Sequence, residues 1–182
     1  MATRGHIAIK ENGKYKYVYN QWDSYIDNLG ITLYKFYKEV DKIKELINLG
    51  DLSSVGCTIE NNAKSYTEFM NLTGTECKYR GTVSFYREGR EWNDYPCYNP
   101  DREWDKVKPR ETEDINEVLG EEFTYIFDVD KDKWYVAYDR DNFEIIELER
   151  ALHDIGIVKK FADLIGINEK YKEEFYEKCL SA

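Results

Sequence analysis

The dipeptide Asn12-Gly13 constrains this chain more than any other feature of its sequence. Both residues tolerate φ > 0, as a two-residue type I′ turn requires, and that turn matches the twist of the strands it joins. Ile7 to Glu11 alternate around small and apolar residues before it, and Lys14 to Asn20 read as a second strand after it. The turn fixes the register, so facing pairs follow. Glu11 faces Lys14, Ile9 faces Lys16, Ile7 faces Val18 and Gly5 faces Asn20 on one side. On the other, Lys10 faces Tyr15, Ala8 faces Tyr17, His6 faces Tyr19 and Arg4 faces Gln21. The first side, with Ile7, Ile9 and Val18, is expected to meet a core. The second is a row of cations and aromatic rings.

Charge sharpens the contrast between this hairpin and the rest. Residues 1–22 hold Arg4, Lys10, Lys14 and Lys16 against Glu11 alone, which is +3, and the whole chain carries −10, so the remainder carries −13. Such a chain can approach nucleic acid by its basic arm, and its acidic body suits a basic protein that itself holds nucleic acid. Solubility alone is the plain alternative. The cysteines Cys57, Cys77, Cys97 and Cys179 lack the close pairing of a metal site and have no neighbouring histidine. No signal peptide or long apolar stretch is visible, so the expected setting is the cytoplasm with reduced thiols, and the Asn71-Leu72-Thr73 sequon carries no meaning there.

Further along, Leu29 to Lys38 reads as a helix after a turn at Asp27-Asn28. A second helix, capped by Asp41, buries Ile43, Leu46 and Ile47 and stops at Gly50. Leu52 to Gly56 is turn chemistry, Cys57 to Glu60 suits a short strand, and Thr82 to Arg87 suits another. Residues 88–111 hold Pro96, Pro100 and Pro109 with Trp92, Tyr95, Tyr98 and Trp104, and read as a long irregular loop, functional or pinned by its aromatics. A short helix near Glu113 to Leu119 precedes a clear second hairpin, Glu122 to Val129 and Lys133 to Tyr138, whose Phe123, Tyr125, Phe127 and Val129 share a face. Residues 147–155, 157–165 and 168–180 read as helices. With no linker or repeat, the expectation is a single α+β domain over 1–182: a hairpin at 1–22, a small antiparallel sheet, flanking helices and a helical stretch over 147–180.

Three patterns bear on chemistry. Asp128, Asp130, Asp132 and Asp139 have the spacing of an EF-hand loop, but Lys133 stands where that loop needs Gly and the flanks are strands, so a hairpin turn is expected and no metal or other cofactor. Removal of Met1 would leave Ala2, which offers no N-terminal nucleophile. His6 is more suggestive, because Arg4 shares its face and Asp23 joins it by parity if the strand continues. Cleavage of RNA through its 2′-hydroxyl needs a base, an acid and a cation, and His6, Asp23 and Arg4 are the candidates for a metal-independent ribonuclease. Lys10, Lys14, Lys16 and Gln21 would hold RNA, while Tyr15, Tyr17 and Tyr19 supply stacking faces worth ~1–3 kcal/mol each. On this reading substitutions at Arg4, His6 and Lys10 spare folding. The competing reading packs the whole face beneath helices, with the hydroxyls at its rim. His153 lies among apolar neighbours and reads as structural.

Several stretches also resemble a phage and prophage protein family. They are Thr3-Arg4, Gln21-Trp22-Asp23, Gly30 to Tyr37 (GITLYKFY) and Leu49 to Gly56 (LGDLSSVG), in that order, with Val83 to Glu88 and Tyr125 to Val136 similar to its later segments. Where the family has Asp-Gly-Tyr-Pro, this chain has Asp23-Ser24-Tyr25-Ile26, which leaves any site shared at that turn open. The length, composition and hairpin further resemble type II-A anti-CRISPR proteins of streptococcal mobile elements that cause truncation of the Cas9 guide RNA. That resemblance implies Cas9 and its guide RNA as partners, the bacterial host cytoplasm as location, and a hairpin needed for guide cleavage. Two other functions fit the composition: a non-enzymatic acidic mimic that blocks a nucleic-acid channel of Cas9, and a binder that sequesters a nucleotide signal.

Overall fold

The computed structural model describes residues 3–59, 84–85, 108–138 and 144–154. In chain order these form β1 (Gly5–Glu11), β2 (Lys14–Asn20), a π-helical turn (Ile26–Gly30), α1 (Ile31–Phe36), α2 (Val40–Asn48), β3 (Leu52–Ser54), β4 (Ser84–Phe85), β5 (Arg110–Thr112), α3 (Ile115–Val118), β6 (Phe123–Asp128), β7 (Lys133–Tyr138), β8 (Glu144–Glu147) and α4 (Leu148–Asp154). The fold is α+β. Asn12 and Gly13 take φ of 52° and 78°, and the β1–β2 register runs from Gly5↔Asn20 to Glu11↔Lys14, the pairing the turn dictates.

One sheet contains all eight strands, in the order β4-β3-β2-β1-β6-β7-β8, with β5 also on β2. β1 and β6 lie parallel at its centre, from Gly5↔Phe123 to Lys10↔Asp128. The far edge of β2 is shared: β5 pairs antiparallel with Tyr15, Lys16 and Tyr17, and β3 meets Asn20 in parallel. That parallel pairing continues past the strand, where Gln21 and Trp22 donate their N–H groups to the carbonyls of Leu52 and Ser53, each at 3.0 Å. β6 and β7 form the second hairpin, whose turn closes with Lys131 N–H on the Asp128 carbonyl and Asp132 at φ 53°.

The main core lies on the face carrying Ile7, Ile9, Val18, Tyr125, Phe127, Trp134 and Val136, packed with Leu33, Tyr37, Ile43, Leu46, Ile47 and Leu148 from the helical side. Burial removes these apolar surfaces from water, the main favourable term in folding. Tyr37 ties α1 into this layer. Its hydroxyl donates to the Gly56 carbonyl and its carbonyl accepts from Trp134 Nε1, both at 2.7 Å.

Several local expectations change. The helix expected over 29–38 begins as a π turn in which the Tyr25 carbonyl accepts from both Asn28 and Gly30 N–H, and ends at Phe36. α2 starts at Val40 with Glu39 in the cap position, not Asp41, though it buries Ile43, Leu46 and Ile47 and runs out at Gly50 with φ 91°. Leu52–Ser54, expected as turn, is a strand, because the free edge of β2 on one side and β4 on the other recruit it. Residues 110–111, expected within the loop, belong to β5 for the same reason. The helix expected over 147–155 is present as α4, Leu148–Asp154, with β8 leading into it. The remainder of the 88–111 loop and the helices expected at 157–165 and 168–180 lie outside the described residues.

Candidate functional site

The second face of the hairpin carries the residues with most chemistry, and α3 lies across it. Asp114 caps α3 by accepting the Asn116 N–H, which starts the helix so that Val118 turns onto the sheet. Val118 packs with Ala8, Tyr15, Tyr17 and Ile126 in a second apolar cluster, bordered by Ile115 and Tyr135. Tyr15 and Tyr17 are buried in it. Tyr15 and Tyr17 are therefore packed beneath a single helical turn, while Tyr19 is half-buried outside that cluster.

His6 sits at the end of this cluster. Its Nδ1 lies 2.7 Å from the Val118 carbonyl oxygen, which can only accept, so Nδ1 carries the proton and Nε2 holds the lone pair of the neutral ring. Thr124 Oγ1 donates to the same carbonyl at 3.2 Å. The ring meets Tyr17 and Tyr19 edge-on at 5.1 and 6.3 Å. Burial pushes its pKa below the ordinary value of 6.5, against the raising effects of the Val118 carbonyl and Glu121.

Beside it stands a charged junction in the gap between β3 and β5. Asp51, buried, receives Arg110 through two parallel bonds of 2.9 and 2.8 Å, and its Oδ1 also accepts the Tyr19 N–H at 2.8 Å. This carboxylate closes the stretch of the β2 edge that neither β5 nor β3 pairs. The Arg110 guanidinium lies 5.8 Å from the centre of the Tyr17 ring.

The residues expected to act on RNA fall into three groups. His6, Tyr17 and Tyr19 are together, with Tyr15 in the same buried layer. The lysines are engaged: Lys10 with Asp128 at 3.0 Å, Lys14 with Glu113 at 3.4 Å, and Lys16 with Asn48 at 2.9 Å and Glu111 at 3.7 Å. Asp128 is buried, so Lys10 holds the chain's EF-hand-like turn as a structural ion pair. Gln21 joins the β3 edge through its backbone, and Arg4 is exposed at the start of β1, its carbonyl accepting Phe123 N–H. Asp23 does not continue the strand. β2 ends at Asn20, and Asp23 takes a left-handed φ of 56° on an exposed turn, so strand parity does not bring it to His6. Against the expectation that His6 and Lys10 are dispensable for folding stand two contacts: His6 Nδ1 on the Val118 carbonyl and Lys10 on the buried Asp128.

Sequence reasoning missed Asp51, Arg110, Glu121 and Thr124. Asp51 falls inside the LGDLSSVG stretch, and Ile115, Val118 and Leu119 carry the apolar spacing that announces the cover. Among the described residues no group of three or more His, Cys, Asp or Glu converges to hold a metal ion, and no helix is long and apolar enough to cross a membrane. Comparison with protein-family models, curated proteins and solved structures gives no match.

Proposed function

We propose that this chain is a non-enzymatic inhibitor of the anti-CRISPR kind, which presents carboxylates to the basic, nucleic-acid-holding surface of Cas9. The partner comes from the sequence resemblance. The mode of action is supported by one observation, the nature of the cover over the tyrosine face. From Glu111 to Glu122 the chain carries Glu111, Glu113, Asp114, Glu117, Glu121 and Glu122 and no basic residue. Glu111, Glu113, Asp114 and Glu117 are exposed. A phosphate backbone approaching His6 meets this segment first and is repelled, whereas a basic protein channel is attracted.

The alternative, guide RNA cleavage through the hairpin, draws support from the neutral state of His6, since a depressed pKa keeps a lone pair available for general-base work. It requires the α3 cover to leave the sheet. Incubating Cas9–guide complex with the protein and running the RNA on a denaturing gel separates the two. Intact guide with blocked DNA binding, relieved by Glu113→Gln with Glu117→Gln, supports blockade. A shortened guide that stays full length with His6→Gln reverses the assignment.

A further inference from the structure

On the opposite face, at the end of the sheet away from the two hairpin turns, the structure holds an exposed array of rings. The row Asn20–Gly5–Phe123–Tyr138–Glu144 crosses β2, β1, β6, β7 and β8 with each residue directly opposite the next. Phe123 and Tyr138 stack at 6.3 Å with planes 20° apart, and Tyr25 meets Phe123 edge-on at 6.1 Å. Tyr25 and Tyr138 are 41% and 39% exposed, and Phe123 between them is half-buried.

Tyr25 is held out there by construction. Gly5 lacks a side chain, and a Cβ there would lie 2.8 Å from the Cβ of Ser24, so the turn after β2 rests directly on the strand. Ser24 donates its N–H to the Thr3 carbonyl, its carbonyl accepts from the buried Tyr125 hydroxyl at 2.8 Å, and its Oγ accepts from Asn20 Nδ2 at 2.8 Å. Rigid aromatic side chains fixed in advance lose little entropy on binding, the usual make-up of an interface anchor.

Carboxylates neighbour the array in register and in sequence, with the exposed Arg4 at the start of β1. Glu144, exposed, is the direct cross-strand partner of Tyr138, while Asp23 and Asp27 flank Tyr25 in sequence. Ring faces bordered by carboxylates match a guanidinium, which stacks on aromatics and forks onto carboxylates, better than an ammonium, and they repel a phosphate. We propose that Tyr25, Phe123 and Tyr138 form a docking surface for an arginine-bearing basic protein surface. This goes beyond the carboxylate-led blockade, since it lies on the other face of the sheet and selects arginine over lysine.

The test compares an oligoarginine peptide with a length-matched oligolysine peptide at low salt, where the acidic segment 111–122 attracts both, and the variants separate its share from that of the rings. Wild-type protein should favour arginine by about two- to fivefold, the worth of an exposed cation–π contact. Tyr25→Leu and Tyr138→Leu should bring that ratio to about one. Tyr25→Phe and Tyr138→Phe, which retain the rings, and Glu113→Gln with Glu117→Gln should preserve it. Ring resonances of Tyr25, Phe123 and Tyr138 in the wild type should shift with oligoarginine, which keeps the test open if a leucine variant is unstable. Equal affinity for the two peptides, a ratio untouched by ring loss, or shifts induced by a single-stranded oligonucleotide instead would overturn the proposal.

Discussion

Asp51 and Arg110, 59 residues apart in the chain, meet in a two-pronged ion pair that also captures the Tyr19 N–H. The pair stands where a ninth strand segment would otherwise be needed, between β3 and β5 on the edge of β2. Asp51 is 3% exposed and the Arg110 side chain 43%, so the arginine stays partly hydrated while the carboxylate depends on its partners. Arg110→Ala should therefore destabilise the fold by about 1–3 kcal/mol in urea titrations, the cost of a buried acceptor left short of a partner. Arg110→Lys should recover only part, because an ammonium cannot fork onto both oxygens.

Lys10→Ala is expected to cost a similar ~1–3 kcal/mol, because among the described residues it leaves the buried Asp128 carboxylate with Lys131 as its remaining partner. Lys14→Ala, whose partner Glu113 is as exposed as it is, should stay within about 0.5 kcal/mol. Chemical denaturation of the two variants side by side checks the contrast.

Stability should fall on mild acidification, and His6 should account for part of the slope. Its folded pKa lies below the ordinary 6.5, so the unfolded chain takes up the proton first. The contribution is complete above pH 6.5 and declines as the pH drops from there towards the folded value. Melting temperatures read across that window for wild type and His6→Gln should converge at the acid end. Parallel curves would remove the histidine from the effect.

Gly5→Ala should destabilise by about 1–3 kcal/mol and release the turn that bears Tyr25. The added Cβ would come within 2.9 Å of the Phe123 carbonyl as well as against Ser24, so backbone must move. Loss of the nuclear Overhauser contacts between the Tyr25 and Phe123 rings would report the release directly.

Both hairpins were legible because their information is local. Asn12-Gly13 fixes one register, and the alternation of Phe123, Tyr125 and Phe127 announces the other. Strand alternation also assigned each hairpin residue to its face. It does not say what lies on that face, because the packing of Tyr15 and Tyr17 under Val118 depends on a helix about a hundred residues away in the chain. β3 was illegible for a related reason. Leu52-Ser53-Ser54 has weak strand preference of its own and pairs because an edge is open beside it. No local pattern announces that Asp51 and Arg110 will meet, since neither charge marks its partner across so long a separation.

The parallel union of β1 with β6 has a consequence during synthesis. Lys10 and Asp128, which end up paired, are 118 residues apart, so the hairpin leaves the ribosome long before its central neighbour exists. At ~5–20 residues per second that interval is roughly 6–24 s, during which the inner edge of β1 has every hydrogen-bonding group of its strand unmatched by β6. The newborn hairpin is then an open template, available to any extended segment that arrives first.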